Sequence, residues 1–112
     1  MKRGDVFWVN FEPSRGGEIK KRRPAVIVSN DAANTYLNRV QVVPLTSSID
    51  KLYPSEAYVT LHGAKRKAMA DQIATVSKDR LGARLGAIVR SEMANVERAI
   101  LVQLALDHLE GA

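Results

Sequence analysis

Short runs of β-branched and aromatic residues, each closed by proline, glycine or a polar turn, fill most of this sequence. Only the last stretch repeats with helical spacing. Residues 6–11 (Val-Phe-Trp-Val-Asn-Phe) read as a first strand, ended by Glu12-Pro13 and the pair Gly16-Gly17. Residues 24–29 form a second, apolar on both faces and therefore central. Its leading proline is tolerated because that position need not donate to the ladder. Residues 40–46 make a third, in which Pro44 implies a bulge or an edge. A fourth spans 57–61 and stops at His62-Gly63; a fifth runs from 67 to 76, and 83–89 adds another. Met93, Val96, Ile100, Leu101 and Leu104 then follow helical spacing, with Ser91 placed as the cap, so a helix is expected over about 91–107. Strands first and one helix last predict a small, strongly bent antiparallel sheet or barrel, closed on one side by that helix.

With 112 residues, the chain is expected to be one domain, 1–112, able to bury a core without staples. Hydrophobic residues at 46% and charged residues at 26% are ordinary globular proportions. The absence of cysteine removes disulfides, thiolate metal sites and cysteine nucleophiles. No apolar run reaches the roughly 20 residues of a membrane helix, and no apolar stretch follows the charges of the first five residues. The expected location is the cytoplasm, with no membrane association. The formal charge of +5 is unevenly placed. Residues 1–23 carry seven bases against three acids, and the rest ten against nine. The surplus centres on Lys20-Lys21-Arg22-Arg23, which suggests a polyanionic partner if it is more than a solvated loop.

The two histidines, His62 and His108, lie far apart and form no metal-ligand spacing, so neither a metal nor another cofactor is expected. His108 falls near the expected end of the helix, where a dipole role is the simpler reading. What remains is a set without histidine or cysteine: Glu18, the bases ending at Arg23, Thr46-Ser47-Ser48, and Asp71-Gln72, all at strand ends or in loops. If the second and third strands are neighbours, Arg23 and Thr46 bring a fixed cation and a hydroxyl to one phosphate. Alternatively, Thr46-Ser47-Ser48 only turns the chain and Arg23 covers an apolar edge.

Lys2-Arg3-Gly4-Asp5-Val6-Phe7-Trp8-Val9, then 13–18 with Gly16 and Glu18, then Arg22-Arg23-Pro24-Ala25-Val26-Ile27-Val28-Ser29 resemble the opening of the MazF/PemK (Kid) toxin family. Val43-Pro44-Leu45-Thr46-Ser47, Ala70-Asp71-Gln72-Ile73 and Leu85-Gly86 extend the match over about 2–107. The resemblance implies an SH3-like antiparallel β-barrel with a C-terminal helix, of the CcdB/PemK kind. It also implies a metal-independent, sequence-specific endoribonuclease (an mRNA interferase) that forms a homodimer and is the toxin of a type II toxin–antitoxin module. It assigns Arg23 and Thr46 as the catalytic pair, links Glu18 to activity, and places Asp71 and Gln72 along the RNA groove. Arg15, Lys20, Lys21, Arg22 and Ser47 would complete the contacts to single-stranded RNA. The expected partners are that RNA and an acidic cognate antitoxin, with DNA reached only through the antitoxin complex. Gly17 and Met69 stand where the PemK branch has a histidine and an arginine, so roles at those positions do not transfer.

Metal-free RNA cleavage uses the neighbouring 2′-OH as nucleophile, which suits a chain lacking a cysteine or a histidine pair. Arg23 suits the phosphorane, because guanidinium stays protonated. Glu18 is the better base on pKa grounds, and Thr46 would donate to a nonbridging oxygen. Two rivals share the fold. A gyrase-binding toxin of the CcdB kind relies on a Trp-Gly-Ile terminus, whereas this chain ends Glu110-Gly111-Ala112 and has its only tryptophan at Trp8. An inactive SH3-like RNA- or peptide-binding module would bind RNA without cutting it.

Overall fold

A computed structural model describes residues 1–12 and 21–109 of the chain. Its strands are β1 (Asp5–Asn10), β2 (Arg22–Ile27), β3 (Arg39–Thr46), β4 (Glu56–Leu61), β5 (Ala64–Met69), β6 (Ala74–Ser77) and β7 (Leu81–Ala87). They form one antiparallel sheet in the order β4-β5-β3-β2-β1-β7, with β6 also paired to β3. The sheet curls into a half-barrel, and helix α2 (Arg90–Gln103) lies across one face. The curl brings the β4–β5 turn to β7, where the His62 ring meets the Leu85 carbonyl. His62 and Gly63 both have positive φ, 52° and 74°, the geometry of a tight two-residue hairpin turn.

Alternation along the strands explains the double-sided apolar runs. Val6, Val26, Val43, Leu45 and Val59 face α2 through Met93, Val96 and Ala99. Val9, Ala25, Ile27, Val40, Val42 and Val76 fill a second cluster. Burial of each such valine or isoleucine contributes about 1.5–3 kcal/mol relative to exposure. β2 is central, as its composition predicts.

Several expectations need correction. Pro44 marks neither an edge nor a recorded bulge, since β3 is paired on both sides. On one side β6 takes residues 39–42 and β5 takes 45–46, so Pro44 falls in the gap between the two partners. A missing N–H goes unused there. The expected fifth strand is two, β5 and β6, separated by a 3₁₀ turn over Ala70–Gln72. A short helix α1 (Asp31–Tyr36), capped by Asn30 through a 2.8 Å bond from the Ala33 N–H, was not foreseen. Ser91 does not cap α2. Val89 holds that position without a side-chain bond, and the first-turn acid Glu92 bonds the Thr60 N–H (2.8 Å) and hydroxyl (2.9 Å). The helix stops at Gln103 rather than 107, because Ala105 turns left-handed at φ 58°. The Leu106 N–H then reaches the Leu101 carbonyl at 2.7 Å and the Ala105 N–H reaches Val102 at 3.1 Å, a Schellman ending. His108 therefore sits in a separate 3₁₀ turn, not at the helix terminus.

Candidate functional site

The β2–β3 register decides the site. The β2–β3 ladder ends at Ala25 and Pro44, and its register continued by two residues sets Arg23 against Thr46. Arg23 lies within β2 rather than before it, so its backbone is held by the sheet while its side chain is half-buried. Thr46 is the last residue of β3 and is paired on its other side with Lys67 of β5. The end of β3 is therefore flanked by β2 on one side and β5 on the other.

A cleft of about 330 Å³ opens at this point. Trp8, Pro24 and Leu45 supply its apolar lining, and Thr46 and Ser47 its hydroxyls. Lys21, Arg22, Arg23 and Arg66 supply four cations, and no carboxylate lines it among the described residues. The Arg22 guanidinium stacks over the Trp8 ring, 5.5 Å from its centroid. Gly82 of β7 leaves room for that stack, because a Cβ there would lie 3.2 Å from both Trp8 Cβ and Arg22 Nη2. The Thr46 hydroxyl oxygen accepts a 3.2 Å bond from the Ser48 N–H, which orients it while leaving its own proton free to donate.

The 47–55 loop that leaves Thr46 is fastened from below. The Lys67 ammonium, buried, pairs with Glu56 at 3.1 Å and donates to the Lys51 carbonyl at 2.8 Å. Glu56 also accepts the Tyr53 N–H at 2.9 Å, and the Tyr58 hydroxyl donates to the Ile49 carbonyl at 3.0 Å. On the other side of the cleft, the Phe11 N–H meets the Lys21 carbonyl (3.0 Å) and Glu12 accepts the Lys21 N–H (2.6 Å).

The structure thus gathers five of the sequence-predicted residues, Arg23, Thr46, Ser47, Lys21 and Arg22, into one cleft. Asp71 and Gln72 do not line it. They occupy the turn between β5 and β6, with Asp71 exposed and Gln72 half-buried. Glu18, Arg15 and Lys20 lie outside the described residues. Sequence reasoning missed Trp8 and Arg66 as members of the site. The available signal for Arg66 is the run Lys65-Arg66-Lys67, three bases inside one strand. Among the described residues, no three histidine, cysteine or carboxylate side chains gather as metal ligands would.

Comparison with known proteins gives the chain a family and a fold. The family model of the PemK-like, MazF-like toxins of type II toxin–antitoxin systems matches residues 2–104. The chain is similar to the endoribonuclease MazF9 of Mycobacterium tuberculosis, at 37% identity over 95% of this chain and 98% of the relative. Among solved structures it resembles MazF of Deinococcus radiodurans, with a TM-score of 0.83 and 28% identity over 94% of this chain and 96% of the other. It also resembles a mycobacterial endoribonuclease in complex with its cognate antitoxin, with a TM-score of 0.79 and 27% identity over 95% and 96% of the two chains.

Proposed function

We propose that the chain, which belongs to the PemK-like, MazF-like toxin family of type II toxin–antitoxin systems, cleaves single-stranded RNA at the Arg23–Thr46 cleft. It acts as one domain, without metal, as a homodimer restrained by an acidic antitoxin. The observation that carries this reading is that Arg23 and Thr46 line one cleft whose charged lining is entirely cationic among the described residues. The relatives named endoribonucleases support the same chemistry.

The reaction needs no nucleophile from the protein. The 2′-oxygen attacks phosphorus, the bond to the 5′-oxygen breaks, and the products are a 2′,3′-cyclic phosphate and a 5′-hydroxyl. Glu18 takes the 2′-OH proton, and water protonates the departing 5′-oxygen. Arg23 stays protonated at neutral pH, so it donates to the nonbridging oxygens as charge builds on the phosphorane. Thr46, its oxygen already engaged by Ser48, donates its hydroxyl proton to the same group. Lys21 and Arg22, with Lys20 and Arg15, hold flanking phosphates, Ser47 contacts the RNA within the cleft, and Asp71 and Gln72 contact it beyond.

Cleavage of a long RNA of mixed sequence, in excess EDTA, tests the reading. Arg23→Ala and Thr46→Ala should each slow cleavage at least about 100-fold, the usual loss for a transition-state donor, while remaining folded. A folded Arg23→Ala protein with substantial activity refutes the assignment. RNA binding without any cleavage by the unsubstituted protein would favour the inactive binding module instead.

A further inference from the structure

Lys67 and Arg66 are adjacent bases on β5, yet the fold treats them in opposite ways. Lys67 is fully engaged by Glu56 and the Lys51 carbonyl. Arg66, half-buried and lining the cleft, has its Nε buried without a hydrogen-bond partner among the described residues. A buried donor without an acceptor is rare in native proteins and costs stability, so its retention calls for a physical account. Around it the described lining offers three further cations and the Thr46 and Ser47 hydroxyls but no carboxylate, so an anion entering the cleft is the charge-matched partner for this guanidinium.

We propose that Arg66 is a substrate-binding residue, gripping from β5 an RNA phosphate that enters the cleft beside Ser47 and Arg22. This rests on the RNA-cleavage reading above. The topology supports it directly. β3 runs between β2 and β5, and Arg22, Ser47 and Arg66 line the same cleft, so a phosphate seated at Ser47 has a cation on either side. Continued one residue past Thr46↔Lys67, the β3–β5 register sets Arg66 opposite Ser47. The planar guanidinium offers Nε and a terminal nitrogen as parallel donors to two phosphate oxygens, a geometry that an ammonium such as that of Lys67 cannot supply. Nε is shielded from solvent, so engaging it takes a turn of the Arg66 side chain toward the phosphate.

The test measures binding of a 2′-O-methyl RNA of mixed sequence, which resists cleavage, by fluorescence anisotropy across a salt series. Arg66→Met should weaken binding about tenfold or more, the worth of a charge-assisted contact. It should also flatten the log–log salt slope by about 0.7, one phosphate contact on a single strand. Arg66→Lys should retain the slope while recovering only part of the affinity. Thermal stability of Arg66→Met should be unchanged or raised, since an unsatisfied donor has been removed. If the methionine variant does not fold, Arg66→Gln carries the same measurement. Unchanged affinity and slope in a folded variant overturn the proposal, as does weakened affinity with an unchanged slope. If Arg66→Met instead loses affinity only for a polyglutamate peptide, the cleft residue serves an acidic protein segment and the proposal also fails. Cleavage by the unsubstituted protein is followed in parallel. Its absence would refute the nuclease reading while leaving the Arg66 result to stand on binding alone.

Discussion

Glu56→Gln is the most informative single perturbation of this fold. Glu56 and Lys67 form an ion pair at 3.1 Å with only 10% of either side chain exposed. The isosteric glutamine keeps the Oε1 that accepts the Tyr53 N–H and faces Lys67 but removes the charge, leaving the buried Lys67 ammonium with neutral acceptors alone. Breaking one side of a buried pair costs about 3–5 kcal/mol, and the surviving carbonyl bond places this case near 3. For a chain of 112 residues, each kilocalorie lowers Tm by about 4 °C, so a drop of about 12 °C is expected. Replacing both partners by apolar residues of similar size, Glu56→Leu with Lys67→Met, should restore most of that loss. Thermal unfolding followed by circular dichroism, at one fixed protein concentration, measures all three proteins. Because Lys67 stands opposite Thr46 and holds the loop leaving it, Glu56→Gln should also slow cleavage severalfold without altering the salt slope of RNA binding. A Tm change below about 2 °C, or a double variant no more stable than Glu56→Gln, would mean that the pair behaves like a solvated surface bridge. The 47–55 loop would then be held by something other than this pair.

Four further outcomes are expected. Neutralising Lys20, Lys21 and Arg22 together should weaken RNA binding irrespective of sequence and flatten its salt dependence by about 0.7 per lost phosphate contact, measured by anisotropy; an unchanged slope would return the run to a solvated loop. Ala105→Gly should raise stability by about 0.5–1 kcal/mol in urea denaturation, because glycine relieves the left-handed strain at the helix ending. Light scattering at micromolar concentration should give twice the 12.3 kDa chain mass, with about 1,600 Å² buried between protomers. An acidic antitoxin segment should displace RNA from that dimer; a monomer that still cleaves, or a bound segment that leaves RNA affinity constant, would refute the shared groove.

The sheet was legible because its signal is local. β2 and β3 carry continuous β-branched runs, and each is buried on both faces, so periodicity and composition agree. The failures have physical causes. The 67–76 run is broken by a 3₁₀ turn at Ala70–Gln72, and nothing in Met-Ala-Asp-Gln is a strong breaker. Six residues of α1 are too few for helical periodicity, and only Asn30 announces them. Helix α2 overran in the reading because its left-handed closing residue is Ala105, where glycine would have been the signal.

The site was legible only as far as strand neighbourhood can be guessed. Arg23 and Thr46 each end or begin an apolar run, and adjacency of those runs is the commonest arrangement for consecutive strands. Arg66 had no such route. It is separated from Thr46 by β4 and two loops, and its place depends on β5 pairing with β3 across the sheet order rather than on its position in sequence. Its neighbours Lys65 and Lys67 make it look like one more solvated base. The distinction appears only in three dimensions: Lys65 sits over the Tyr58 ring at 4.3 Å, Lys67 is neutralised by Glu56, and Arg66 alone of the three enters the cleft. Consecutive positive charges on a strand alternate between faces, and pairing on one face is what leaves the cation on the other face available for a ligand.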